Sequence, residues 1–593
     1  MKIKLRNLQL IDLGDYLILK HPSKAFHKYN GPYFEQQTIE DLIKQVEYYK
    51  QALENGETNV LKQKRIIANL DTDKIIGEVN WYWKSKETNW LEIGIVIFNE
   101  NYWSKGIGYT ALKFWINEVF ELFPEIVRIG FTTWSGNIGM MKLGEKLKFQ
   151  KEAVYKNARI VNEGRIAKRD ILIENEFIKE ISNIIDAPDA TIIDANNKYV
   201  IPGIIDDQVH FREPGLTHKA TIATESRAAA AGGITSFIEM PNTNPQTTTI
   251  EKLEDKFEIA SKTSFVNYSF MFGGTNDNLD EILKVDEKNV AGLKLFLGSS
   301  TGNMLVDNPE VLENIFSNTN LLISVHCEDE ATIRKNTANY IEKYGEDIPV
   351  KYHPIIRSEE ACYLSSSKAI ELAKKTGARL HVFHLSTGKE TNLFTNKIPL
   401  KDKKITAEVC IHHLWFTDKD YNQKGTHIKW NPAVKTDTDR DGLWKALLDG
   451  RIDVIATDHA PHTLEEKNNV YTNAPSGGPL VQHALNALFE MYHQGKIELT
   501  HIAQKFSHDV ARCFQIENRG YVREGYFADL FIADLDKKYT VEKEGLLYKC
   551  GWSPFEGQEF HSTIDTTIVS GNVVWNNGKL IEGTIGQRLS FER

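Results

Sequence analysis

Between about Val200 and Arg519 the chain repeats one unit: a short apolar run, a turn rich in glycine or polar residues, then a stretch with helical periodicity. Apolar runs of roughly four to eight residues bounded by turn signals read as buried strands, and their alternation with helices implies parallel strands joined by crossovers. The strand candidates are YVIPGIIDDQVHF, TSFIEMPN, VNYSFMF, GLKLFL, LLISVHCE, RLHVFHLS, ITAEVCIHHLWF and DVIATDHAPH, eight in all. Eight is the number that closes a (β/α)8 barrel, here assigned to residues 201–519. Segments 154–200 and 520–593 read instead as short strands separated by turns such as NEGR, NNK, SGN and NNGK, and are predicted to pair into one small β-domain. Residues 1–153 differ again: amphipathic stretches TIEDLIKQVEYYKQAL and TALKFWINEVFELF accompany the strand candidates KIIGEVNWYW and WLEIGIVIF, a separate α/β unit.

Length agrees with this division, since 593 residues exceed the roughly 250 to 300 that one hydrophobic core serves. A composition of 41% hydrophobic and 26% charged residues is that of a globular protein. The net charge of −10, with no long Lys/Arg run, argues against a nucleic-acid partner and for a small-molecule substrate. Cys327, Cys362, Cys410, Cys513 and Cys550 lie far apart without a CxxC pair, which argues against a disulfide framework or a thiolate zinc site and fits a reducing compartment. The N-terminal MKIKLRNLQLIDLGDY has no continuous apolar segment, and no run approaches the ~20 residues that span a bilayer. A cytoplasmic protein without a membrane partner is the expectation.

In a barrel, side chains at the C-terminal strand ends converge on one mouth. On the first strand Gln208, His210 and Arg212 share a face by period-two alternation. Other polar residues at strand ends are Asn242, Lys294, His326, His384, Asp458 and His462. A single histidine at such a place is usually a hydrogen-bonded structural residue; the convergence of several is what points to a site. Lys294 is the sharpest anomaly, because an ammonium inside the apolar run GLKLFL is costly to desolvate unless paired or chemically altered.

HFREPG at 210–215, MPNTNP at 240–245 and ATDHAPHT at 456–463 resemble the signatures of the cyclic amidohydrolases, and within them the dihydroorotases. The resemblance covers residues 154–593 and implies a TIM-like amidohydrolase barrel that interconverts dihydroorotate and N-carbamoyl-L-aspartate in de novo pyrimidine biosynthesis. It further implies a carbamylated Lys294 bridging two divalent metals, usually zinc, with His210 and Asp458 at one and His326 and His384 at the other. Asp458 would act as general base and acid. Arg212 would clamp the substrate carboxylate, the alternative being a rim salt bridge with Glu213; Asn242, Asn431, His462, Ser476 and Gly477 match substrate-contacting positions. Segment 298–305, GSSTGNML, is a candidate lid or a plain turn.

The family's first strand usually reads His-x-His, and Gln208 takes the place of the first histidine. Three readings are open: Gln208 still binds metal, Asp206 compensates from the same strand face, or the site at His210 is weakly filled. A single tightly held cation, fewer than two equivalents per chain, is the expectation. In the N-terminal unit, NENYWSKGIGYTALKFWI resembles the pyrophosphate loop of GNAT acetyltransferases, which implies acetyl-CoA at Lys105, Gly106 and Gly108, with Asn137 as the cofactor-side Asn. Lys148 replaces that family's glycine, Glu92 is weighed as a base against a solvated strand-end carboxylate, and assigning residues from 154 onward to the barrel's β-domain leaves this unit short of its last strands. Competing readings are an allantoinase or hydantoinase, a non-catalytic barrel associated with aspartate transcarbamoylase, and acetyl transfer as the main activity; a homodimer is a further expectation.

Overall fold

The computed structural model describes all residues except 1, 30–36, 86–89, 125, 127–128, 132, 134–136, 148–151, 188–189, 299–303 and 582–585. The chain divides into two compact units, 1–150 and 151–593. No helix among the described residues is long and apolar enough to cross a membrane.

In the first unit a five-stranded sheet runs in chain order through Ile3–Arg6, Lys64–Asn69, Ile75–Ser85, Trp90–Ile97 and Ile129–Gly130, antiparallel except for its last pair. Alternation along Lys64–Asn69 sends Ile67 to one side, with Val79, Leu91 and Trp115, and Ile66 and Ala68 to the other, with Tyr16 and Phe98. The predicted helices are Ile39–Glu54 and Ile107–Leu122. Thr38 caps the first by accepting the Asp41 N–H (3.2 Å).

In the second unit a nine-stranded sheet joins the unit's two ends: Tyr199–Pro202 pairs in parallel with Glu152–Asn162 and antiparallel with Leu530–Asp534. Glu152–Asn162 crosses the sequence boundary drawn at 153/154, so the unit begins earlier than the turn signals indicated. The barrel strands are β1 (Ile204–Val209), β2 (Ile234–Glu239), β3 (Asn267–Gly273), β4 (Gly292–Phe296), β5 (Ile323–His326), β6 (Leu380–Val382), β7 (Ile405–Cys410) and β8 (Val454–Ala456). They are hydrogen-bonded in that order, all parallel. The barrel closes where Val209 pairs with His459 and the His210 N–H donates to the His459 carbonyl (2.7 Å).

Some candidate strands differ from expectation. YVIPGIIDDQVHF is two strands, one in the flanking sheet and one in the barrel, broken at Gly203. The Gly203 N–H reaches across to the Asp529 carbonyl (2.8 Å), and its Cα passes so close to β2 that a Cβ there would lie 2.1 Å from Thr235 Oγ1. Apolar content hid the break, because both halves are buried. In ITAEVCIHHLWF only Ile405–Cys410 is extended, Ile411–Trp415 turning into a short helix. In DVIATDHAPH only Val454–Ala456 is strand.

Gly203→Ala is therefore expected to destabilise the protein by about 1–3 kcal/mol through overpacking at this junction, read as a lower urea midpoint. An unchanged midpoint would mean that Thr235 yields without cost.

Candidate active site at the barrel mouth

Lys294 is the third residue of β4 and His326 the last of β5, while His210, His384 and Asp458 follow the ends of β1, β6 and β8 by one or two residues. These five line one cavity with Gln208, Arg212, Asn242, Asn431, Ser476 and Gly477; Phe296, Trp430 and Ala460 complete its wall. His462 lies behind it, with Nε2 3.0 Å from Arg212 Nη2 and 3.1 Å from the Ser476 carbonyl. Of the segment 298–305, residues 299–303 lie outside the described residues.

Arg212, His384 and Asp458 all adopt left-handed backbone conformations (φ 69°, 40° and 46°). Non-glycine residues hold such conformations only where the surroundings enforce them, at a cost on the order of 1 kcal/mol or more each. Here the His384 N–H donates to Glu408 Oε1 (2.9 Å), the Asp458 carbonyl accepts from Trp430 Nε1 (3.3 Å), and Arg212 Nε donates to the Pro461 carbonyl (3.0 Å). The chain is thus turned sharply at each strand end.

Lys294 is 1% exposed, its Nζ has no hydrogen-bond partner, and it packs over the rings of Phe383 (4.1 Å) and Phe296 (4.9 Å). Burial drives its ammonium down to about 7, so a neutral, nucleophilic amine is accessible near neutral pH. Burial also pushes the Asp458 carboxyl up to about 7. His210 Nδ1 lies 2.8 Å from Asn242 Oδ1, which as acceptor leaves the Nε2 lone pair facing Asp458 Oδ1 at 3.3 Å. His326 Nδ1 and His384 Nε2 sit 3.0 Å apart. Burial holds the imidazoles of His210, His326 and His384 below their ordinary range, hence neutral. Three neutral imidazoles, a carboxyl group and an orphaned amine converging on one cavity fit a divalent cation, which supplies the positive charge that this donor set lacks.

The first strand behaves differently from simple alternation. A bulge between Asp206 and Val209 breaks the register. Asp206 is consequently not beside the mouth: its carboxylate accepts from the Thr457 N–H (3.1 Å) and hydroxyl (2.6 Å), which removes it as a compensating ligand. Gln208 does line the cavity, its Oε1 3.7 Å from Cys410 Sγ. Glu213 does not pair with Arg212; its Oε2 accepts the Ile222 N–H (2.8 Å). Sequence reasoning missed Asp207, His381 and Glu408, which β1, β6 and β7 bring together, fully buried. Their signal was weak, since Asp207 sits between two residues assigned to opposite faces. Phe296 was the more legible omission, being two residues beyond Lys294 on one strand.

In the first unit Gly106 has φ 78° immediately before helix Ile107–Leu122, and Lys105 is exposed beside it. A Cβ on Gly108 would lie 3.2 Å from Leu143 Cδ2, a tight contact. Asn137 Oδ1 accepts the Met140 N–H (3.1 Å), and its Nδ2 donates to the Tyr29 carbonyl (3.3 Å). Glu92 is buried and receives the Tyr82 hydroxyl rather than lying in solvent. Lys148 is outside the described residues.

Residues 199–574 match the Amidohydrolase family, and residues 2–150 match the Acetyltransferase (GNAT) domain. The chain belongs to the amidohydrolase family. A dihydroorotase of Halobacterium salinarum is 33% identical over 422 residues, covering 70% of this chain and 95% of that protein. An allantoinase of Desulfitobacterium hafniense is 30% identical over 451 residues, covering 74% and 98%. Among solved structures, the L-hydantoinase (dihydropyrimidinase) from Arthrobacter aurescens superposes with a TM-score of 0.71 at 27% identity, covering 74% of this chain and 100% of that one. The amidohydrolase is an enzyme of the cyclic-amide group, as HFREPG, MPNTNP and ATDHAPHT indicated.

The raised Asp458 carboxyl has a consequence for stability. The unfolded chain's Asp458 ionises near pH 4 while the folded site stays protonated up to about 7, so this carboxyl's contribution to the stability of the cation-free amidohydrolase is lost as pH rises through that window. In urea unfolding with chelator, Asp458→Asn should become progressively more stable than wild type from pH 5 to pH 8, by up to about 4 kcal/mol. Parallel curves for the two proteins would contradict this.

Proposed function

We propose that this amidohydrolase is a dihydroorotase, with the Arg212 guanidinium selecting the substrate. Arg212 is buried at the mouth, burial lowers it to about 10, and among the described residues no carboxylate pairs with it. A buried guanidinium with its counter-ion missing is matched by a ligand that brings a carboxylate, as dihydroorotate does and as neutral hydantoins and allantoin do not. This observation carries the reading.

His210, His326, His384, Asp458 and the carbamate of Lys294 would hold the divalent cation, zinc by the nature of the donors, with Gln208 as a weak neutral oxygen donor. When bound, such a cation acidifies water and polarises the amide carbonyl. Asp458 receives the proton of the attacking water and delivers it to the departing ring nitrogen, giving N-carbamoyl-L-aspartate; ring closure is the same path reversed. Asn242 orients His210 through the 2.8 Å contact, which leaves its amide nitrogen to the substrate. Asn431 Oδ1, buried without a partner, offers an acceptor to a ring N–H. His462 supports Arg212 from behind. Ser476 and Gly477 shape the wall: the Gly477 N–H is taken by the Lys429 carbonyl (2.8 Å), and a Cβ there would lie 2.4 Å from the Ala460 carbonyl oxygen.

The allantoinase relative and the hydantoinase neighbour favour a second reading, a neutral-ring cyclic amidase. Residues 1–153 we assign to an acetyl-CoA-binding unit, with the cofactor phosphates at the N-terminus of Ile107–Leu122 beside Lys105 and Gly106. The amidohydrolase we place in the cytoplasm, as a homodimer or with aspartate transcarbamoylase.

Ultraviolet assays of the zinc-loaded amidohydrolase should show hydrolysis of dihydroorotate in preference to allantoin and hydantoin, and a loss of roughly 10²–10⁴-fold in kcat for Asp458→Ala. Arg212→Gln should lower kcat/KM for dihydroorotate by roughly 10²–10³-fold while leaving neutral rings much less affected. Faster turnover of a neutral ring by the wild type would establish the second reading.

A further inference from the structure

Behind the mouth, Asp207 of β1, His381 of β6 and Glu408 of β7 place one donor atom each within 4.8 Å of the others. His381 Nε2 lies 3.4 Å from Asp207 Oδ2 and 3.8 Å from Glu408 Oε2. All three side chains are fully buried, and none lines the mouth. Both Asp207 oxygens, Glu408 Oε2 and His381 Nε2 lack a hydrogen-bond partner although no water reaches them. We propose that Asp207, His381 and Glu408 form a second cation site, holding one Zn²⁺ inside the barrel, separate from the mouth.

The hydrogen bonds around the cluster set its donor atoms. Thr406 Oγ1 donates to the Leu380 carbonyl (3.3 Å), so toward His381 it acts as the acceptor, and the 2.7 Å contact puts the imidazole proton on Nδ1. Nε2 then carries the lone pair and faces the two carboxylates. Glu408 is divided in the same way: Oε1 accepts from the His384 N–H (2.9 Å) and Cys410 Sγ (3.3 Å), and Oε2 turns inward unengaged. Second-shell bonds of this kind fix ligand tautomers and orientations in metal sites.

Charge and size both match the ion. With the imidazole deprotonated to act as a ligand, the two carboxylates carry −2 in a space without water, which one divalent cation balances. Zinc bonds of about 2.0–2.1 Å at a tetrahedral angle place donor atoms roughly 3.3 Å apart, close to the two separations found. One nitrogen and two carboxylate oxygens are acceptable zinc donors, and the fourth position is left to a water or to the second oxygen of a carboxylate. The alternative is an imidazolium between two acids that share protons. In the cation-free protein, working against burial, Cys513 and the two acids hold the His381 imidazole well above its ordinary range, but its separations of 3.4 and 3.8 Å from the acids are longer than charge-assisted hydrogen bonds, and a bound cation takes the place of that proton.

The site adds a cation to the one expected at the mouth, and it stands whether or not the mouth acts on dihydroorotate. Zinc-loaded, desalted protein is analysed by elemental mass spectrometry. His326→Asn/His384→Asn, which removes mouth ligands, should keep one equivalent, and Asp207→Asn should lose one relative to wild type. Equal zinc in Asp207→Asn and wild type overturns the proposal. Should Asp207→Asn fail to fold, wild-type crystals decide: anomalous scattering at the zinc edge should give a peak between Asp207, His381 and Glu408. Scattering confined to the mouth, or absent from the protein, overturns it.

Discussion

Ionisable side chains stay inside a barrel only when something offsets the water they have lost. Lys294 states the problem most plainly: its amine is packed between two phenylalanine rings with no acceptor, and burial brings it down to about 7. Conversion to a carbamate, an anion, and coordination of a cation by that anion would together replace an isolated charge with a neutralised cluster. The other mouth residues depend on the same solution. His210 turns a lone pair toward Asp458, and His326 and His384 face each other at 3.0 Å. Without a cation these groups have only one another as partners; with one they would form a ligand sphere.

The framework supplies the positions at a local cost. Three left-handed residues, each held by a hydrogen bond to a neighbouring strand or loop, redirect the chain where regular strand geometry ends. Glu408 is shared between layers, holding the His384 backbone with one oxygen and presenting the other to Asp207 and His381. The bulge in β1 does comparable work, turning Asp206 to Thr457 and Asp207 to the interior while Gln208 remains at the mouth.

Much of this was legible because barrels write their chemistry at strand ends. Lys294 stood out as a cation in an apolar run, and the period-three-to-four helices and eight apolar runs defined the repeat. What escaped was irregular. The break at Gly203 left no polar mark, since both flanking strands are buried, and the constraint there is the close approach of Thr235. Simple alternation assigned Asp206 to the mouth and ignored Asp207; one bulge reverses that assignment, and no residue in IIDDQV announces it. Glu92 was weighed as solvated because a carboxylate near a strand end usually is, whereas the Tyr82 hydroxyl across the sheet allows it to be buried.

The central claim is that Lys294 is held as a carbamate within a cation-binding cluster, and ¹³C NMR tests it directly. Protein loaded with zinc in ¹³C-bicarbonate should show one slowly exchanging carbamate carbon that persists after gel filtration and is missing from Lys294→Arg. A fully loaded wild type with no such resonance would contradict the account.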